Sequence, residues 1–122
     1  MEINIVPSSQ SNVGTHLVLN FYKVLDSEFL RILVKGKEML YNFLRGLGFT
    51  IINQTGHQFN GMGYSHTYIL PDGHFTIHTF PKYSSCYIDL FCFDSKFDPE
   101  EITLDLKKLL NTHCVTSAVI TR

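Results

Sequence analysis

The chain has 122 residues, of which 44% are hydrophobic and 17% charged, a balance that excludes intrinsic disorder and sets a compact globular chain. At this length folding removes roughly two thirds of the unfolded chain's surface from water, so stability requires neither a metal staple nor a disulfide framework. A formal net charge of −1 excludes a nucleic-acid polymer held by bulk electrostatics, and any ligand must be recognised locally.

The stretch from Met1 to Gly14 is polar, lacks a basic start and an apolar core, and resembles no secretion signal. It is expected to be a flexible N-terminal arm over residues 1–14, ahead of a single domain over 15–122. No apolar run approaches the roughly 20 residues of a membrane-spanning helix, so no membrane partner is expected. Cys86, Cys92 and Cys114 are an odd, unclustered set, which points to a reducing compartment, the cytoplasm by default.

Thr15 to Tyr22 is short, partly alternating and rich in β-formers, the pattern of a strand. Asp26, Ser27 and Glu28 supply cap chemistry for a helix in which Phe29, Leu33, Leu40, Phe43, Leu44 and Leu47 recur at three- and four-residue spacings until Gly46 and Gly48. Gly36 interrupts that pattern. Four β-rich runs follow, Phe49 to His57, Tyr64 to Leu70, His74 to Phe80 and Cys86 to Phe93, separated by Gly, Asn, Pro and Ser. Asp98-Pro99-Glu100-Glu101 places an acceptor at the cap, proline at the first helical position and a carboxylate in the first turn, opening a helix through Ile102, Leu106, Leu109 and Leu110. Cys114 to Ile120 closes the chain as a strand.

The order β-α-β-β-β-β-α-β predicts an α+β fold, a two-layer sandwich in which two helices cover one face of a mainly antiparallel sheet. The other face is either solvated or buried against another copy.

The segment from Asp72 to Pro81 carries the most information. Alternation puts His74, Thr76, His78 and Phe80 on one side of a strand and Phe75 and Ile77 on the other. If Phe75 and Ile77 pack on the helices, the histidines face outward or line a ligand site. They could equally be strand histidines satisfied by their neighbours. No metal site is expected: His57, His66, His74 and His78 lack clear carboxylate partners, and His74 and His78 stand too far apart on a strand for one ion. Tyr64, His66 and Tyr68 alternate on one face of their strand, as cross-strand packing or as part of a site. Asp72 is either turn chemistry with Gly73 or a pocket carboxylate. Asp89, on an otherwise apolar strand, is expected to be hydrogen-bonded inside or at an interface.

The chain resembles the prokaryotic-type S-adenosylmethionine decarboxylases of polyamine synthesis. The resemblance runs from about His16 to Thr116 and rests on Thr15-His-Leu-Val with Phe21-Tyr22, His57-Gln-Phe59, His74-Phe-Thr-Ile-His-Thr-Phe-Pro81, Tyr87-Ile-Asp-Leu-Phe91 and Asp98-Pro99. The histidine segment is similar to the family's E-S-H-x-[ST]-I-H-T-W-P signature at six of ten positions. The resemblance implies a self-cleaving serine that becomes a pyruvoyl group, and here that position is Gly73, preceded by Asp72 in place of glutamate. Glycine has no hydroxyl to attack the peptide bond, so decarboxylation by the family's route is excluded and no cofactor is expected. The family's catalytic cysteine falls at Phe93, with Cys92 one residue early and on the opposite side of its strand. A glutamate associated with ribose binding falls at Lys82. What the resemblance retains is Phe59, matching an aromatic that stacks on substrate, and His78, matching a histidine that assists processing.

S-adenosylmethionine carries its own leaving group, a sulfonium, and its own nucleophile, a carboxylate. A pocket without a cofactor could release methylthioadenosine and homoserine lactone by orienting the one against the other, a reaction with precedent among phage and antiviral-signalling enzymes. The expected catalytic residues are Asp72, His74 and His78, and the expected substrate-binding residues are Phe59, Tyr64, Tyr68, Phe80 and Lys82, with aromatic faces against the sulfonium. Lys82 would favour a substrate bearing a phosphate, such as an AMP conjugate of S-adenosylmethionine. The alternative is a catalytically silent paralogue that binds a ligand or regulates an active decarboxylase. As the resemblance implies a symmetric oligomer, a homo-oligomer, dimer or trimer, is expected.

Overall fold

The computed structural model describes residues 1–6, 13–60, 62–93 and 97–122. Among them, seven strands are formed by Glu2–Asn4 (β1), Gly14–Tyr22 (β2), Asn53–Phe59 (β3), Gly63–Leu70 (β4), Gly73–Phe80 (β5), Ser85–Phe93 (β6) and Cys114–Thr121 (β7). They hydrogen-bond into one sheet in the order β1-β7-β2-β6-β5-β4-β3. The β1–β7 pair is parallel and the others are antiparallel. Helices Ser27–Arg31 (α1), Leu33–Gly46 (α2) and Pro99–Leu110 (α3) complete the fold, with a 3₁₀ turn at Pro81–Tyr83.

Alternation within the strands decides which side is covered. Leu17, Leu19, Phe21, Phe75, Ile77, Ile88 and Leu90 are at most 2% exposed, and their strand neighbours point the other way. Against them pack Phe29 and Leu30 of α1, Leu40 and Leu44 of α2, and Ile102, Leu106 and Leu110 of α3. In α2 and α3 these positions recur every four residues, the spacing of a single apolar stripe. The expected two-layer α+β sandwich is therefore the observed architecture, with the helices on one face of the sheet.

Helix α3 begins and ends as its sequence dictates. Asp98 Oδ1 accepts from the backbone N–H of Glu100 at 3.0 Å, Pro99 occupies the first turn, and Asn111 terminates the helix in the left-handed region. The first predicted helix instead divides at Ile32, which adopts an extended backbone. The break frees the Leu33 N–H and the Arg31 carbonyl, and the side chain of Gln58 takes both, at 2.7 Å each. Gly36 is required within α2 because a Cβ there would collide with the Tyr64 hydroxyl. The strand expected from Phe49 begins only at Asn53, since Phe49 and Ile51 turn inward to pack against the core. Near the N-terminus, where a loose arm was expected, Glu2–Asn4 extends the sheet by pairing with Val119, Ile120 and Thr121. The rest of that expectation falls largely on residues 7–12, outside the described residues.

Candidate active site

The uncovered face of the sheet collects the polar members of β5 and β6. His74 and Thr76 are half-buried, and His78 and Phe80 are exposed. His78 lies opposite Ser65 of β4, and its Nδ1 is hydrogen-bonded to Ser65 Oγ at 2.7 Å. Phe80 stacks obliquely on Tyr87, with ring centroids 5.2 Å apart. Tyr87 in turn meets Tyr22 edge-on at 6.5 Å. Lys82, exposed in the 3₁₀ turn just beyond Phe80, holds its Nζ 5.8 Å from the centre of the Tyr83 ring. Phe59 is 47% exposed at the end of edge strand β3, with its ring 4.6 Å from that of His57.

Tyr64 and Tyr68 are not on this face. They are 1% and 0% exposed and lie under the helices, because Tyr68 stands opposite Phe75 and β4 turns Ser65, Thr67 and Ile69 outward. Expecting them to bind substrate is corrected by this register. Their bulk fills the core, where the Tyr68 hydroxyl donates to the Lys37 carbonyl at 2.5 Å and the Tyr64 hydroxyl has no hydrogen-bond partner among the described residues. Burial pushes both phenols above their ordinary range. The aromatic character assigned to them on the uncovered face is supplied instead by Tyr87 and Tyr22, which alternation along β6 and β2 would have revealed.

Asp72 also stands apart from the histidines. It is exposed in the β4–β5 turn and lines a cleft of about 570 Å³ at the end of the sheet, with Phe49, Leu70, Cys92, Ile102 and Glu101. Cys92 points under the helices, away from the uncovered face, as its strand position predicts. Burial, with Asp72 nearby, pushes its thiol up to about 11, which leaves little thiolate at neutral pH. His74 and His78 are four residues apart on one strand, roughly 13 Å, too far apart to hold one ion or one carboxylate together.

Gly73 is the tightest point of the region. It faces Cys92 across the β5–β6 ladder. A Cβ built on it would collide with the Phe91 carbonyl oxygen, lie 2.7 Å from the Phe91 carbonyl carbon and stand 3.0 Å from Cys92 Cα. These obstacles are backbone, which cannot swing aside as a side-chain tip can.

One cluster has no counterpart in the sequence reading. His16 of β2 and His74 of β5 both lie opposite Phe91 of β6, and Asp89, two residues along β6, reaches diagonally to each. Asp89 Oδ1 accepts from His16 Nε2 at 3.1 Å and from His74 Nε2 at 3.0 Å. Asp89 is thus hydrogen-bonded, as its setting on an apolar strand suggests. The three-strand adjacency that assembles the trio is long-range and invisible to local pattern.

No helix among the described residues is long and apolar enough to cross a membrane. A family model described as S-adenosylmethionine decarboxylase matches residues 15–122. The S-adenosylmethionine decarboxylase proenzyme of Thermosipho africanus is 31% identical over 104 residues, 85% of this chain and 79% of the relative. The proenzyme of the same description from Clostridium botulinum is 33% identical over 102 residues, covering 80% and 83%. The crystal structure of the adenosylmethionine decarboxylase from Aquifex aeolicus superposes with a TM-score of 0.75 over 90% of each chain at 22% identity, a likeness of fold. With the match spanning strands β2 to β7 and the three helices, this chain belongs to the S-adenosylmethionine decarboxylase family.

Proposed function

We propose that this chain is a pyruvoyl-independent lyase that cleaves S-adenosylmethionine, or a nucleotide conjugate of it such as S-adenosylmethionine-AMP. The observation that carries the reading is the packing of Gly73 against the Phe91 and Cys92 backbone. The position that the resemblance assigns to the processing serine holds no hydroxyl and has no room for one, so these residues do not fit a pyruvoyl group. The relatives, by contrast, are named proenzymes.

The lyase step needs no electron sink. A carboxylate oxygen of the methionine moiety attacks Cγ, the Cγ–S bond breaks, and its electron pair neutralises the sulfonium. The products are homoserine lactone and methylthioadenosine, or the AMP conjugate of the latter. Well-oriented intramolecular attack can contribute about 7–11 kcal/mol. Phe80, Tyr87 and Phe59 supply aromatic faces for the sulfonium, each worth about 1–2 kcal/mol when water is excluded. His78, held by Ser65 and opposite Tyr87 on the uncovered face, can orient the carboxylate, while His74 and Asp72 stand apart from it, toward the start of β5. Exposed Lys82 suits a phosphate on the ribose. The exposed Phe59, Phe80, Tyr87 and Phe93 support a homo-oligomer, dimer or trimer, in which a second copy closes this face from water. The three free cysteines agree with a reducing, cytoplasmic setting.

Incubation with S-adenosylmethionine and with its AMP conjugate, read by chromatography and mass spectrometry, tests the reading. Methylthioadenosine with homoserine lactone, or its conjugate counterpart, is expected, without carbon dioxide. Release of carbon dioxide, or a chain found in two fragments, overturns it; unchanged substrate with retained binding points to a silent paralogue. Lys82→Glu should weaken the conjugate while leaving free S-adenosylmethionine unaffected, and equal effects on both would remove Lys82 from recognition.

A further inference from the structure

We propose that His16, His74 and Asp89 form a binding site for a divalent transition ion of the zinc class on the uncovered face of the sheet. The proposal is independent of the reaction above. The three potential ligand atoms, two imidazole nitrogens and one carboxylate oxygen, all lie within 4.8 Å of one another. Around an ion with ligand distances of about 2.0–2.2 Å, neighbouring ligand atoms of a tetrahedron stand about 3.3 Å apart. The two His–Asp separations, 3.1 and 3.0 Å, already approach that edge. Only the two imidazoles must close toward each other, by at most about 1.5 Å on that geometry, which small side-chain rotations can supply.

The donor set selects the ion. Two imidazoles and a carboxylate suit zinc, cobalt and nickel, whereas magnesium and calcium prefer oxygen ligands throughout. The setting is partly buried, with side-chain exposures of 18% for His16, 38% for His74 and 32% for Asp89, so the ligands are shielded yet reachable. Three protein ligands from three adjacent strands leave a position for water or a ligand oxygen, the arrangement of an open site. One neighbour opposes the ion. Arg122 Nη1 stands 3.4 Å from His16 Nδ1, where it favours the ring tautomer with its proton on Nε2. That contact is long and Arg122 is exposed, so the guanidinium can swing off its perch 5.5 Å above the Phe91 ring when the ring turns its lone pair to the ion.

The test is titration of the metal-free protein with cobalt(II), read by visible d–d absorption, and with zinc by calorimetry. One ion per chain is expected. Asp89→Asn, which keeps the shape of the side chain but removes its charge, should weaken zinc by more than about 100-fold, beyond the roughly 10–100-fold loss of an outer-sphere partner. His16→Ala should do the same and serves if the Asp89 variant does not fold, with circular dichroism checking each. His57→Ala, on an exposed imidazole of the same face, should leave affinity unchanged. No d–d band on cobalt addition, or equal losses in His57→Ala and Asp89→Asn, would overturn the site.

Discussion

The covered and uncovered faces of the sheet are made by the same strands, one residue out of step. On β5, Phe75 and Ile77 are fully buried, while Phe80, on the side of His74 and His78, is 41% exposed. Beneath the helices the criterion is volume: tyrosine is accepted there as a filler, even where its hydroxyl finds nothing. On the other face it is chemistry, with paired imidazoles, a carboxylate and stacked rings that no packing requirement explains. The lesson is that one strand can carry a rigid scaffold and a reactive surface, each able to change without the other.

Substitutions should expose that division. Phe75→Ala should cost about 3–5 kcal/mol in urea unfolding, whereas Phe80→Ala should change the stability of the chain by itself by about 0.5 kcal/mol or less. Similar losses for both would erase the distinction, and a Phe80→Ala loss that depends on protein concentration would show another copy covering this face. Gly73→Ser should cost about 1–3 kcal/mol, because the added atoms meet backbone, and its intact mass should remain that of one chain; fragmentation would mean that the strand can open around a hydroxyl.

Within the covered face the two tyrosines should differ. Tyr68→Phe removes a made hydrogen bond and should cost about 1 kcal/mol, while Tyr64→Phe removes an unpaired hydroxyl and should be neutral or stabilising by thermal melting. A smaller effect concerns His66, 4% exposed, whose imidazole is held below its ordinary 6.5 by burial and, secondarily, by Lys37. Below about pH 6.5 the unfolded chain protonates this ring while the folded chain resists, so its contribution is complete above that pH and declines as the pH falls through it. His66→Gln should flatten that part of the acid unfolding profile, and an unaltered slope would assign the acid sensitivity elsewhere.

Much of this was legible in the sequence because it is local. The Asp98-Pro99 helix start, the alternation through β2, β5 and β6, and the outward turn of His74 and His78 all follow from period and cap chemistry. The division of the first helix was not legible, since it depends on Gln58, 25 residues from Leu33. Nor was β1, whose three residues gain their order from an edge offered by β7. The two tyrosines show a subtler limit: alternation placed them together, but only pairing with Phe75 decides which side they take, and an amphipathic ring is acceptable on either. The His16–His74–Asp89 trio required three strands to be neighbours, which no window along the chain contains.

Asp89 also bears on how the sheet assembles. Its single carboxylate oxygen fastens β6 to the strands on both sides. Sliding the chain by one position there would thrust an anion beneath the helices and strand two imidazoles at once. The residue thereby fixes the register of β6 against both neighbours, making a one-position slip costly on two strands together.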